Sequence, residues 1–320
     1  MNDVSELIPF PEKEEQLLAS GTRKLLAHDY LAAKKDFEKL YEQTNTFDYV
    51  QLLVESYRLL GDIERALYYA EEYQAEYLEQ EQTVEKYLHL LLLDEQYLTV
   101  HRLLQQYPNE KVQRDLLLLE STQDLIGEQT YLVKESQLQL WDQQRLPILG
   151  NQWHQWLKRL SLTRFVSLAR AYLVRSQNPF LSPKLIEMLL SCGVKETILV
   201  KTIANQEVDI DLSKLQPLAQ TPQLQLLLKL IAEKWENDDP QMAEAIALEA
   251  QAHLALLYPV LPEITAIPDW AQSYHLEYRA MFGDEQATIQ LEKYPEIQEI
   301  KQILREIYQE VNCKMKCIRK

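Results

Sequence analysis

The feature that most constrains this chain is a repeat with a step of 33 to 34 residues between Glu14 and Tyr107. From Tyr30 to Ile63 is 33 residues, and from Ile63 to Tyr97 is 34. A fixed period of this length indicates stacked helical hairpins, because a single hairpin has no partner for its apolar face and buries that face against its neighbours. The stretch therefore predicts three successive helix–turn–helix repeats.

Apolar residues recur at helical spacing in both helices of these repeats. A stripe at i, i+3, i+4 and i+7 predicts one packed face on each first helix. In the second and third repeats the stripes are Val50, Leu53, Val54, Tyr57 and Val84, Tyr87, Leu88, Leu91. The turns are predicted at His28-Asp29-Tyr30, Gly61-Asp62-Ile63 and Glu95-Gln96-Tyr97, with Asp29 and Asp62 as N-caps and Gly61 as a helix stop.

These residues resemble the tetratricopeptide repeat, whose pattern pairs small residues and aromatics around a Gly-Asp-Tyr-like turn. The matching positions are Gly21, Ala33, Phe37, Tyr57, Gly61-Asp62 and Ala66. Val54, Leu88 and Val100 depart from the usual small residues, so the three repeats look divergent. The resemblance covers about a third of the chain and implies a superhelix of stacked hairpins, without naming a function.

The second half of the chain predicts a different arrangement. Asn178-Pro179 is the best boundary, which divides the chain into a repeat domain (1–177) and a helical C-terminal domain (178–320). Ser182-Pro183, Thr221-Pro222 and Asp239-Pro240 each predict a helix start. Between them, near 197–212, alternation of apolar and polar residues predicts a small β-hairpin with a two-residue turn at Ala204-Asn205 or Asn205-Gln206.

A second resemblance extends over nearly the full length. It rests on Gly193-Val194-Lys195-Glu196, the run from Glu233 to Pro240, His253-Leu254 and Leu257-Tyr258-Pro259. These segments look like the C-terminal half of a bacterial family of uncharacterised tetratricopeptide proteins. The resemblance implies no known activity. The predicted fold class is therefore mainly α: a tetratricopeptide-like helical-hairpin superhelix with a helical C-terminal region that carries a small β-hairpin.

Motifs for chemistry are scarce in the sequence. Six Gly do not build a phosphate-binding loop, and the six His lie at no recognisable metal or nucleophile spacing. Cys313 and Cys317 form the one close thiol pair and lack two further ligands, while Cys192 is interpreted as an ordinary buried thiol. We expect no catalytic residue, metal or cofactor. Met1–Glu15 is acidic without an apolar segment, and the apolar runs are short, which predicts a cytoplasmic protein without a membrane span.

The polar face opposite the apolar stripes gives the candidate binding site. In tetratricopeptide proteins this face lines a concave groove, so the resemblance implies that its residues contact a partner. They are Asp48, Gln51, Glu55 and Arg58 on one helix, and Gln82, Glu85 and His89, joined by Leu92, on the next. A groove of acidic character favours a basic or amphipathic segment. A solvated helix face with no partner is the open alternative.

Charge is unevenly distributed along the chain. The net charge is −16, yet residues 143–186 contain no Asp or Glu. The candidate residues of this basic band are Lys158, Arg159, Arg164, Arg170 and Arg175. Three interpretations are open: the band docks against the acidic repeats, it receives an acidic partner, or it contacts nucleic acid. The third is the weakest, because the overall charge repels phosphate, and we expect no nucleic-acid partner.

The sequence thus predicts a non-enzymatic interaction module, an adaptor or regulator that holds a protein or peptide segment. The alternative is a regulator gated by a peptide or a small ligand, and an enzyme is a third class.

Overall fold

The computed structural model describes residues 13–235 and 239–318, with side chains through residue 316. Residues 1–12, which make up most of the acidic segment Met1–Glu15, lie outside this part. Contacts divide the chain into two compact units. Unit 1 comprises the described part of Met1–Ile126 together with Leu157–Ser161, and unit 2 comprises Gly127–Trp156 with the described part of Leu162–Lys320. The domain boundary predicted between residues 177 and 178 falls inside unit 2 and stays a prediction.

The regular elements among the described residues of unit 1 are all helices. Its helices are α1 (Lys13–Leu26), α2 (Tyr30–Gln43), α3 (Phe47–Leu59), α4 (Ile63–Glu72), α5 (Gln74–Tyr77), α6 (Glu81–Leu93), α7 (Tyr97–Leu104) and α8 (Glu110–Ile126). The predicted repeats correspond to the pairs α1–α2, α3–α4 and α6–α7, which confirms the helical hairpins. A superhelical path of the stack stays a prediction.

The three repeats use the same turn with three different residues. His28, Gly61 and Glu95 all take the left-handed conformation, with φ of 61°, 78° and 59°. In each turn the next residue's N–H reaches back five residues, for example from Asp62 N to Tyr57 O at 3.0 Å. This is the Schellman ending of a helix. Asp29 caps α2 and Asp62 caps α4, as predicted, because each carboxylate accepts a backbone N–H of the first turn.

The predicted stripes form the core of unit 1. All eight residues of the two first-helix stripes are buried. From the second helices, Ala33 and Ala66 are fully buried, together with Phe37 and Ala70. Gly21 lies so close to Phe37 that a Cβ there would stand 2.6 Å from the Phe37 Cε1 atom. Small residues therefore set the separation of paired helices, as the repeat pattern requires.

Unit 2 combines helices with one hairpin. Its elements are α9 (Glu128–Gln144), α10 (Gly150–Leu157), α11 (Leu162–Arg175), α12 (Leu181–Ser191), β1 (Thr197–Lys201), β2 (Glu207–Asp211), α13 (Pro222–Trp235), α14 (Pro240–Leu257), α15 (Ile267–Met281), α16 (Glu285–Leu291) and α17 (Pro295–Ile318). Short 3-10 turns span Leu218–Gln220 and Ile264–Ala266. The last residue of α10, Leu157, belongs to unit 1 by its contacts.

The predicted hairpin is present, but its loop is longer than expected. Strands β1 and β2 pair antiparallel, with Thr197 opposite Asp211 and Lys201 opposite Glu207. Thr202 N donates to Gln206 O at 2.8 Å, which leaves three residues in the loop instead of two. Asn205, at φ of 59°, takes the left-handed position that ends such a three-residue loop.

The helix starts in unit 2 follow the prediction unevenly. Asp239 caps α14 and accepts from Met242 N at 3.0 Å, with Pro240 in the first turn. The expected cap at Ser182 is wrong, because α12 begins one residue earlier, at Leu181. Asn178 supplies the polar side chain before this helix instead, and its Oδ1 accepts from Phe180 N at 3.0 Å.

Candidate functional site

A groove in unit 1 brings together all seven residues predicted to contact a partner. Its volume is about 980 Å³. Helices α3 and α6 form its walls, and one residue of α8 closes an edge. It is lined by Asp48, Gln51, Leu52, Val54, Glu55, Arg58, Tyr77, Gln82, Glu85, Lys86, His89, Leu90, Leu93 and Lys111. We call this site the groove.

Polar contacts join the successive first helices across the groove. Lys86 Nζ on α6 reaches Gln51 Oε1 on α3 at 3.4 Å. On the other side, His89 Nε2 lies 3.2 Å from the Asp115 carboxylate on α8, and its Nδ1 lies 2.9 Å from Glu85 O. Helix α8 thus stands beside α6 much as α6 stands beside α3. The sequence does not reveal this relation, because α7 is short and the 34-residue step ends there.

The floor of the groove is apolar, which the sequence-based reasoning missed. Leu52, Val54, Leu90 and Leu93 contribute to it, and Leu93 is 52% exposed. The expected neighbour of the polar face, Leu92, is instead buried. Successive side chains point about 100° apart around a helix. An error in the rotation assumed for α6 therefore exchanges Leu92 and Leu93 as the residue that faces the groove.

Tyr77 also belongs to the floor. Its side chain is only 1% exposed. The short helix α5 turns its ring inward, where the ring centroid lies 4.9 Å from Phe47 and 5.7 Å from Tyr87. A four-residue helix inserted between α4 and α6 has no counterpart in the repeat period, so the pattern could not place this side chain.

The groove is charge-balanced, whereas the sequence predicts an acidic one. Three lining residues are acids and three are bases, namely Asp48, Glu55 and Glu85 against Arg58, Lys86 and Lys111. The expectation is wrong because it left out Lys86, at the edge of the polar face, and Lys111, which comes from α8 beyond the repeats.

Two ion pairs hold charges of opposite sign along the rim. Two guanidinium nitrogens of Arg58 donate to the Glu55 carboxylate at 2.7 and 2.6 Å, and Lys111 Nζ lies 2.7 Å from Glu85 Oε1. The hydrogen bond from Lys111 holds the pKa of Glu85 below its ordinary value. These pairs are at least one-third exposed, so they contribute little to stability and are able to exchange partners.

Residues of the basic band each have a partner within the same unit. Lys158 Nζ lies 2.5 Å from Asp94, and Arg159 Nε lies 2.5 Å from Glu95. The Arg159 N–H also donates to Glu95 O at 2.9 Å. Both acids belong to the turn of the third repeat, and all four residues lie in unit 1. The interpretation that the band docks against the acidic repeats agrees with these two contacts.

The other three residues of the band lie in unit 2. Arg164 pairs with Glu128 at 3.1 Å and stacks over Tyr131. The Nε of Arg170 donates to the Glu196 carboxylate at 3.1 Å. Arg175 lies over the ring of Tyr172, 4.4 Å from its centroid. Within each unit the band is therefore a series of separate local contacts.

A buried ionic cluster in unit 2 has no counterpart in the sequence analysis. Lys301 of α17 is completely buried, and its Nζ lies 2.7 Å from Ser273 Oγ, 3.0 Å from Glu277 Oε2 and 3.3 Å from the Tyr274 ring centroid. Burial lowers the pKa of Lys301 to about 8, against the opposing effect of Glu277. The partners come from α15 and α17, which are too far apart in sequence for any local pattern to connect them.

Arg305, one turn later on α17, completes this cluster. Its guanidinium contacts Glu277 at 2.8 Å and Glu249 of α14 at 3.0 Å. Burial alone would raise the pKa of Glu277, but Lys301 and Arg305 together bring it below the ordinary value. We call Lys301, Arg305, Glu277 and Glu249 the α17 cluster. The contact between Ser273 and Lys301 is sealed from solvent, so it fits a structural role and not a reaction with a substrate.

The described residues give little support for a metal site or a reactive thiol. Within residues 13–235 and 239–316, no group of three or more His, Cys, Asp or Glu is arranged to hold a metal ion. Cys192 is buried and Cys313 is exposed, and the side chain of Cys317 lies outside the described residues. Every described helix is too short or too polar to cross a lipid bilayer.

Comparison of the chain with protein-family models, with curated proteins and with solved structures found no match. The likeness to tetratricopeptide proteins therefore stays a prediction that rests on the repeat residues themselves.

Proposed function

We propose that the groove holds an amphipathic helical segment of another protein, which makes the chain an adaptor or regulator without a catalytic step or cofactor. The observation that supports this most is the coincidence of seven predicted polar residues with an unpredicted apolar floor in one groove. A helix-in-groove complex needs both parts: apolar anchors at i, i+3, i+4 and i+7 in the floor, and polar contacts at the rim.

Size and charge narrow the partner further. A volume of about 980 Å³ is at the upper end for small molecules, which favours a peptide segment. Because the rim carries equal numbers of acids and bases, the segment should carry both signs beside its apolar ridge. A purely basic segment would meet Lys86 and Lys111 and be repelled. The balanced rim thus favours the amphipathic option over the basic one.

Selection from a displayed peptide library against the full chain tests this proposal. We expect enriched peptides to carry apolar residues at helical spacing with both charges beside them. Leu93→Asp places a charge in the apolar floor and should weaken their binding about tenfold or more, since an apolar anchor loses its contact. Leu26→Asp is the matched control, because Leu26 is an exposed leucine of unit 1 outside the groove. Equal loss in both variants, or none in either, rejects the groove.

The rim is tested by charge reversal. Glu55→Lys and Glu85→Lys remove the partners of Arg58 and Lys111 and make the rim basic. We expect the selected peptides to bind more slowly and with a changed salt dependence, because rim charges act mainly on association. Surface plasmon resonance at low and high salt measures both. Unchanged kinetics for every selected peptide would contradict the assignment of these residues to the binding site.

A further inference from the structure

A second pocket lies in unit 2, independent of the groove. Its volume is about 330 Å³, which is within the range of small-molecule sites. Five segments form it: Arg145 after α9, the residues around Pro179 before α12, the end of β1 with Lys201 and the hairpin loop after it, the end of α14 with Tyr258, and Ile307 of α17. None of these segments takes part in the proposed peptide site.

The lining of this pocket has an unusual charge for this chain. It contains two cations, Arg145 and Lys201, and no Asp or Glu among its sixteen residues. Acids make up 49 of the 320 residues, so sixteen residues taken at random would include two or three of them. The protein as a whole repels polyanions, but this pocket presents only positive and neutral groups to a small ligand.

Two carboxylates outside the lining are already engaged, and Glu207, which faces Lys201 across the hairpin, forms no ion pair with it within 4 Å. Asp142 Oδ1 accepts from Ser176 Oγ at 2.5 Å and from Gln177 N at 2.9 Å. Glu310 pairs with Lys314 at 2.7 Å, and the hydrogen bond from Lys314, with the charge of Arg145 as a further cause, lowers the pKa of Glu310. Neither Arg145 nor Lys201 forms an ion pair within 4 Å with a described residue. Their charge is therefore left for a ligand.

Several hydrogen-bond donors remain available inside the pocket. Arg145 Nε donates to Gln177 O at 3.0 Å, which orients the guanidinium and leaves its terminal nitrogens without a partner among the described residues. Thr202 Oγ1 accepts from Gln206 N, so its own hydroxyl proton is free to donate. Ser182 lines the pocket as well. An arginine fork, an ammonium and hydroxyls are the donors that recognise a phosphate group.

The lining also contains apolar side chains, namely Pro179, Pro183, Leu256, Leu257 and Ile307. We infer that this pocket binds a small molecule that carries a phosphate group and an apolar body. The phosphate contacts Arg145 and Lys201, and the body lies against the prolines and leucines.

Isothermal titration calorimetry of the full chain tests this with inorganic phosphate and with phenyl phosphate, against chloride at matched ionic strength. We expect both probes to bind and phenyl phosphate to bind more tightly, because its ring adds apolar contact. Lys201→Gln should weaken both about tenfold, the effect of one charge-assisted contact. Lys195→Gln is the matched control, since it removes the same charge from an exposed residue outside the pocket.

Arg145→Lys is a second variant, which keeps the positive charge but removes the guanidinium fork. Alone, it should weaken phosphate binding less than the double variant that also carries Lys201→Gln. Circular dichroism verifies that each variant is folded. No heat with either probe overturns the proposal, and so does equal binding by the wild type, Lys201→Gln and Lys195→Gln. Because the groove lies in unit 1, failure here leaves the peptide proposal untouched, and failure of peptide selection leaves this one untouched.

Discussion

Different interactions stabilise the helices of unit 1 and the helices at the end of unit 2. In unit 1, apolar stripes and identical turns recur along the chain, and the pairs Arg58–Glu55 and Lys111–Glu85 lie at the exposed rim of the groove. In unit 2, α17 is attached to α15 through the buried Lys301–Glu277 pair, and Arg305 extends the contact to the partly exposed Glu249 of α14. The same residue types thus serve different purposes: exposed pairs are open to a partner, whereas buried pairs fix one arrangement of helices.

The largest effect should come from the α17 cluster. Glu277→Gln leaves the completely buried Lys301 without its carboxylate, and removing one partner of a buried pair costs about 3–5 kcal/mol. Urea unfolding of the wild type and the variant measures the loss. In the groove, Glu85→Gln breaks an exposed pair and should cost less than about 1 kcal/mol. Equal losses at the two sites would contradict the comparison.

Lys301→Met sharpens the same point. It removes the cation and its burial cost together, and Arg305 continues to compensate Glu277 at 2.8 Å. Replacing buried charge by an apolar side chain of similar size is often neutral, so we expect a change of only about 1 kcal/mol. A loss as large as that of Glu277→Gln would mean that the ammonium itself stabilises the fold.

The next effect is a pH dependence beside this cluster. Burial lowers the pKa of His253 to about 4, with further effects from Glu249, Arg305 and Lys301. The unfolded chain binds a proton near pH 6.5 and the folded chain only near 4, so stability falls as the pH falls between these values. The slope is about 1.4 kcal/mol per pH unit for one such group.

His253 Nδ1 lies 2.7 Å from the Tyr274 hydroxyl. Urea unfolding at several pH values between 4 and 6.5 compares the wild type with His253→Gln, whose amide can keep that hydrogen bond. The slope should fall in the variant. It should not vanish, because burial also lowers the pKa of His275 to about 4. An unchanged slope would show that His253 is not the group responsible.

In unit 1, close packing should give a smaller effect. Gly21→Ala would place a Cβ 2.6 Å from the buried ring of Phe37, and overpacking of this kind costs about 1–3 kcal/mol. The better helix propensity of Ala returns about 1 kcal/mol of that. Thermal unfolding should therefore show a net loss. Gly150→Ala is the control, because nothing lies within 4 Å of a Cβ there, and it should be neutral or slightly stabilising.

The smallest effect concerns the turns. Gly61 has φ of 78° and open space around it, so Gly61→Ala isolates the backbone strain, about 1 kcal/mol. His28 holds the same position in the first repeat, and His28→Gly should relieve that strain, with a smaller gain because the exposed contact of His28 Nδ1 with the Tyr30 hydroxyl at 2.7 Å is lost. Thermal unfolding of the two variants measures both. Changes of the same sign would contradict the equivalence of the two turns.

How far the sequence predicted the structure depends on the range of each signal. The packed stripes and the turn positions were predictable, because a 34-residue period aligns His28 and Glu95 with Gly61 even though neither is glycine. The hairpin followed from alternation within one strand. Its loop length did not, since Asn205 satisfies the left-handed position in either a two-residue or a three-residue loop.

The unpredicted parts depend on elements that interrupt the period or on contacts between distant segments. Tyr77 turns inward because of α5, and Lys111 enters the groove from α8, beyond the last repeat. The exchange of Leu92 and Leu93 follows from a rotation of α6 that sequence cannot fix. In the α17 cluster, Lys301 meets residues that lie 24 and 28 positions earlier, and no local pattern marks such a meeting.

The central claim is that an amphipathic segment binds between α3 and α6. Chemical-shift mapping of the isotope-labelled full chain with a selected peptide tests it most directly. The account predicts that the strongest amide perturbations fall on Gln51, Leu52, His89 and Leu93 and their neighbours, with no comparable change in unit 2. Perturbations centred on unit 2, or on the helices α2 and α4, would contradict it.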